Sequence, residues 1–313
     1  MVKAAAHPTR GTIALAALAA ALLYALATPW VLRPWLLSHD DLPKSELALG
    51  PMEDTDLLLN VWILTWVARA AVESPAEMFG GNIFHPAPNA IAGSENMLAH
   101  LPVTAPAWAL TGSALAVLKT MLLESFVLSG LAMLAYVWLV TRDPGAALLA
   151  GAAFTFVPWR VQNVPHPQYL GFQYLPLALL AVELWLAQRR RWQPVLLAAA
   201  LALQALACLY LGYFTFLVVP VYALVRWLQD DRTARGALAL GAALVVGALA
   251  AVPVGLPYLL AREQGMIPDY EIGAWGDWSW RPWWYVGAPF VERVGVVVPA
   301  VVVLDLAARA VAR

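Results

Sequence analysis

The stretch that decides the fold is ALAVLKTMLLESFVLSGLAMLAYVWLVT, residues 114–141. Its 28 residues carry only two charges, Lys119 and Glu124. An α-helix needs about 20 apolar residues to cross a bilayer core of ~30 Å, so this run predicts a membrane-spanning helix. Working outward, similar runs recur at about 11–31, 144–159, 169–188, 193–211, 213–229, 236–260 and 292–310, eight spans with the first. The composition agrees: 62% of residues are hydrophobic and 12% charged, where a soluble domain carries about a quarter charged. Long runs, rather than alternation, argue against a transmembrane β-barrel. The expectation is an all-α polytopic helix bundle forming one membrane domain over 1–313.

The N-terminal run follows Lys3 and Arg10 and contains Ala25-Leu26-Ala27, which looks like a cleavage site. Its length of about 20 residues exceeds a usual signal-peptide core, so an uncleaved first span is expected. Lysine and arginine accumulate on the cytoplasmic side of membranes. A cytoplasmic N-terminus places eleven of them inside, with Arg189-Arg190-Arg191 the densest group, and seven outside. On that topology 98–112 is interfacial or re-entrant, and the protein is a multi-pass protein of the inner (plasma) membrane. Fourteen acidic residues then lie on the outer face against three inside. Residues 32–113 form a large extracytoplasmic loop holding the polar chemistry. Within it, 57–73 reads as a helix too short and interrupted to span, lying at the interface with Trp62 and Trp66 one turn apart. The near-neutral net charge of −1 suggests no nucleic-acid partner. Cys208, the single cysteine, sits in an apolar run and reads as a small buried hydrophobe.

Several groups could carry chemistry. Asp54 and Asp56 form an Asp-x-Asp pair beside Glu53. Such carboxylates can act as a general base or hold a divalent cation such as Mg or Mn; Asp56 also suits a helix N-cap. Glu95 and His100 make a second acidic spot in the same loop, for which a solvated loop carboxylate and an interfacial histidine are the plainer reading. His85, in Phe84-His85-Pro86, fits a turn; with Glu95 and His100 its spacing matches no metal-ligand pattern, and the metal, if any, stays unassigned. Arg160 and His166 end the third span and could grip a phosphate, or Trp159-Arg160 could anchor the interface. The cluster Trp275, Trp278, Trp280, Trp283, Trp284 and Tyr285 suits either a sugar-stacking platform or an aromatic belt. Glu124 is costly in lipid and should face the bundle interior, whereas Glu183 could snorkel to the inner surface.

Taken in order, Asp56-Leu57-Leu58-Leu59-Asn60-Val61-Trp62, Gly81-Asn82-Ile83-Phe84-His85-Pro86, Ser94-Glu95-Asn96, Phe156-Val157-Pro158-Trp159-Arg160 and His166-Pro167-Gln168 resemble bacterial membrane proteins of the glycosyltransferase C superfamily. The likeness covers about 10–220 and is closest to dolichyl-phosphate-mannose-mannosyltransferase-like and YfhO-like members. The resemblance implies a GT-C fold and an inverting transferase of the cell envelope. Its donor would be a polyprenyl-phosphate-linked sugar and its acceptor a lipid, glycan or protein. It implies Asp56 as base, Asp54 and Glu95 as further acidic site residues, and Arg160, His166 and Gln168 at the donor phosphate. Asn60, His85, His100 and Trp283 are further site candidates. Such proteins usually continue with more helices and a soluble domain, which implies that this chain is a fragment or a short member. Where they often carry histidine beside the serine-glutamate, this chain has Asn96. The rival expectation is a transporter, flippase or non-catalytic accessory protein for lipid-linked precursors, whose cue would be polar residues deep in several helices.

Overall fold

The computed structural model describes residues 10–37 and 51–266. The cluster around Trp283, the expected eighth span, and the side chains of Glu53 and Asp54 lie outside the described residues. Among the described residues there is no strand. Eleven α-helices follow one another: α1 (Arg10–Val31), α2 (Arg33–Leu36), α3 (Pro51–Glu73), α4 (Leu101–Thr111), α5 (Ala114–Thr141), α6 (Pro144–Thr155), α7 (Pro158–Gln162), α8 (Tyr174–Gln188), α9 (Trp192–Ala207), α10 (Leu209–Asp230) and α11 (Ala234–Glu263).

Among the described residues, five stretches are long and apolar enough to span a membrane: Thr55–Glu73, Ala114–Thr141, Pro167–Gln188, Leu209–Asp230 and Ala234–Glu263. Three differences from the sequence reading have physical causes. First, α3 is unbroken over 23 residues and begins at Pro51. Asp56 therefore lies inside the helix and is not its N-cap, and the 57–73 segment is not too short to span. Second, the 144–159 run folds as the 12-residue α6, only about 18 Å long. Phe156 and Val157 leave helical geometry just before Pro158, which disfavours helix in the residue it follows. Third, the 193–211 run breaks at Cys208, whose backbone is extended (φ −164°, ψ 120°), so α9 ends at Ala207 and α10 starts at Leu209.

Apolar side chains pack in two main bodies. One joins α3 to the first half of α5 through Leu57, Val61, Leu64, Val117, Leu118, Leu122 and Phe126. Most of 51–113 is therefore packed against α5 rather than looped freely. The other joins the second half of α5 to α8, α9, α10 and α11 through Tyr136, Leu179, Val182, Leu201, Val219 and Leu240. α1 docks on α5 and α6 where glycines let backbones approach. Tyr24 donates its hydroxyl to the Leu148 carbonyl at 3.1 Å. A Cβ on Gly151 would come within 2.2 Å of that hydroxyl, and one on Gly130 within 2.8 Å of the Tyr24 ring.

The bundle has two distinct ends. The starts of α8 and α10 face one end. Arg189 and Asp231, just past the ends of the same two helices, are paired at the other. Glu183 lies near this second end and does not snorkel. Its side chain is 8% exposed and accepts from Arg226 Nε at 2.5 Å, from Arg226 Nη2 at 3.0 Å and from the Tyr222 hydroxyl at 2.5 Å. Burial of both partners from different helices explains the difference: Arg226 supplies the counter-charge that makes a membrane-buried carboxylate tolerable.

Candidate functional site

At the first end, α3 presents Asp56 outward and the α7–α8 connection brings His166 to it. His166 Nε2 lies 3.3 Å from Asp56 Oδ2, although the two residues are 110 apart in sequence. Both side chains reach solvent, Asp56 at 56% and His166 at 22% exposure. The pair is held from below. Asn60, one turn on along α3 and buried, donates Nδ2 to the Asp56 carbonyl at 2.7 Å, and its own Oδ1 has no partner. The His166 ring stacks on Tyr169 at 5.9 Å, Tyr169 packs on Tyr210 at 5.9 Å, and Tyr210 on Phe214 at 4.9 Å. Sequence reading missed this aromatic row. Tyr210 and Phe214, four residues apart at the start of an apolar helix, were a signal for it, but Tyr169 joins them only through the fold.

Arg160 does not join the surface pair. Its side chain is buried and points inward, with Nη2 donating to the Leu170 carbonyl at 2.7 Å and to Ser125 O at 3.4 Å, and Nη1 to Thr155 O at 3.4 Å. Its guanidinium lies 4.5 Å from the Phe126 ring centroid. Burial drives its pKa down to about 9, and the Glu124 carboxylate opposes this. The group stays cationic at neutral pH and pins the turn 167–170 on which His166 is mounted. Gln168 is buried in that same turn, with Oε1 unpartnered.

Glu95 is partly buried rather than freely solvated. It caps α10: its carboxylate accepts from the Leu209 N–H at 2.5 Å and from the Tyr210 N–H at 3.0 Å. These are two of the donors a helix start leaves unsatisfied. Burial raises the Glu95 pKa, and the two backbone N–H groups pull against it. Asn96 is buried beside it, accepting from Leu98 N at 3.0 Å and donating to the Tyr258 hydroxyl at 3.2 Å. His85 stands apart, exposed in a turn.

His100 is not interfacial. It is fully buried, with Nδ1 2.6 Å from Glu124 Oε2, while Gln173 donates to Glu124 Oε1 at 2.9 Å. Glu124 thus faces inward, as its cost in lipid requires. Gln204 donates to the Gly171 carbonyl at 2.7 Å nearby. Among the described residues no group of three His, Cys, Asp or Glu side chains could hold a metal ion; Asp56 and His166 bring two such ligands together.

No protein-family model matches the chain, and no curated protein or solved structure is significantly similar to it.

Proposed function

We propose that this chain is a membrane glycosyltransferase that moves a sugar from a polyprenyl-phosphate donor to a lipid, glycan or protein acceptor at the extracytoplasmic face of the plasma membrane. The observation that carries the reading is the Asp56–His166 contact. Two motifs with independent reasons to be functional meet at 3.3 Å on an accessible surface. The arginine-rich end lies across α8, about 22 Å away, and the positive-inside tendency then turns Asp56 outward.

In the proposed reaction the acceptor hydroxyl attacks the anomeric carbon in line. The bond from that carbon to the phosphate oxygen breaks, and polyprenyl phosphate leaves. The hydroxyl proton passes to Asp56. His166, donating to one Asp56 oxygen, leaves the other for that proton and fixes the carboxylate's orientation. With Arg160 committed to carbonyls, His166 is the group beside Asp56 placed to donate to the departing phosphate. A divalent cation such as Mg or Mn, held by Asp56 and a neutral His166, would supply that neutralisation instead.

A second reading has one observation in its favour. His100, Glu124, Arg160, Gln173 and Gln204, from different segments, lie buried within the bundle, as a transporter or flippase for lipid-linked precursors would require. Radiolabel transfer from a panel of polyprenyl-phosphate sugars to membrane extract separates the two readings. Transfer by wild type and none by Asp56→Asn supports the transferase. No transfer by folded wild type from any donor excludes it on this panel and leaves transport.

A further inference from the structure

A recess of about 750 Å³ opens at the arginine-rich end, lined by Trp185, Arg191, Pro194, Arg235, Leu238 and Ala239. It sits where α9 packs on α11, at the opposite end of α8 from Asp56 and His166. The local charge is unbalanced in a particular way. Three carboxylates on and just past α8 and α10 at this end already hold an arginine: Glu183 and Asp230 hold Arg226, and Asp231 holds Arg189. Arg191 and Arg235 both reach the recess, from different elements, and neither has a carboxylate partner among the described residues.

Trp185 also borders the recess; the residue is 3% exposed and its indole nitrogen is closed off from solvent. The charged side chains lining this recess are two guanidiniums, which are donors only. Its ligand must therefore be an acceptor and an anion, and planar guanidinium forks favour phosphate. The rest of the lining, Pro194, Leu238 and Ala239, is apolar. Leu238 is 74% exposed and leads onto the outward apolar face of α11, with Val245 58%, Val246 55% and Leu249 62% exposed.

We infer that this recess binds the phosphate headgroup of an anionic phospholipid, with its acyl chains lying along the outer face of α11. A soluble phosphate would satisfy the donors but not that apolar continuation, and basic recesses between membrane helices suit acidic headgroups. The inference does not depend on the transferase reading.

Native mass spectrometry of the full chain in detergent, titrated with phosphatidylglycerol, tests it. Phosphatidylcholine and inorganic phosphate are the comparison probes. Wild type should retain phosphatidylglycerol in preference to phosphatidylcholine. The double variant R191Q/R235Q should bind it about 30-fold more weakly, roughly fivefold for each arginine. R142Q removes an exposed arginine at the same end but outside the recess, and should leave the affinity unchanged. Equal retention of the two lipids, an unaltered preference in R191Q/R235Q, or an equal loss in R142Q would overturn the inference. Displacement by millimolar inorganic phosphate would reassign the recess to a soluble anion and overturn its lipid source.

Discussion

Removing the Glu95 carboxylate should loosen the start of α10 and leave chemistry at Asp56 intact. Its two acceptor contacts differ in weight: the Leu209 N–H is partly buried, while the Tyr210 N–H reaches solvent. In Glu95→Ala the Leu209 donor is stranded at a cost of about 1–3 kcal/mol. Water replaces the acceptor for Tyr210, and the cap contributes about 1 kcal/mol in total at such positions. A loss near 2 kcal/mol follows, which is roughly 4–8 °C in midpoint at 2–4 °C per kcal/mol. Glu95→Gln keeps one carbonyl oxygen and should lose about half. The charge itself adds little, because burial raises the Glu95 pKa against the pull of the two amides. A carboxyl whose folded pKa is raised contributes stability that is fully present below its unfolded value and fades as pH climbs through the folded one. The stability advantage of wild type over Glu95→Gln should therefore be larger near pH 4.5 than at pH 8. Tryptophan-emission thermal scans of detergent-purified protein read both effects, with label transfer measured in parallel. If Glu95→Gln kept its melting midpoint but lost transfer a hundredfold, Glu95 would act on substrate and the capping argument would fall.

Other outcomes follow from particular contacts. Glu183→Ala leaves Arg226 with Asp230 as its remaining counter-charge and strands the buried Arg226 Nε and Tyr222 hydroxyl donors, and should cost about 1–3 kcal/mol, read as a lower melting midpoint; a Glu183→Met/Arg226→Met pair should recover much of it. Gly151→Val drives a side chain into the Tyr24 hydroxyl and should lower the melting midpoint more than Gly241→Val, whose position is open. Arg160→Lys cannot reproduce the fork onto the Leu170, Ser125 and Thr155 carbonyls and should accelerate amide hydrogen exchange across 163–171.

The apolar runs made the all-α membrane class readable because backbone groups in lipid must be satisfied within the segment, and length alone then identifies a helix. Segment edges were less readable where partners are remote. The break at Cys208 lies where Glu95 caps the next helix across 114–115 residues, and no local pattern announces such a cap. Asp56 and His166 stood out singly by residue type and motif; their pairing needed the α7–α8 turn folded back on α3. Arg160 misled for a physical reason: Trp-Arg at the end of an apolar run has the same local appearance whether the guanidinium reaches headgroups or turns inward onto carbonyls. Glu183 did so likewise, since its partners Tyr222 and Arg226 are 39 and 43 residues on.

A double-mutant cycle in the label-transfer assay, on Asp56→Asn, His166→Ala and the pair together, tests the central claim most directly. Groups that act as a unit are non-additive. Each single variant should lose about 10²–10⁴-fold in transfer, and the double variant little more than the worse single. Losses that multiply in full, or a His166→Ala enzyme that transfers at the wild-type rate, would contradict the account.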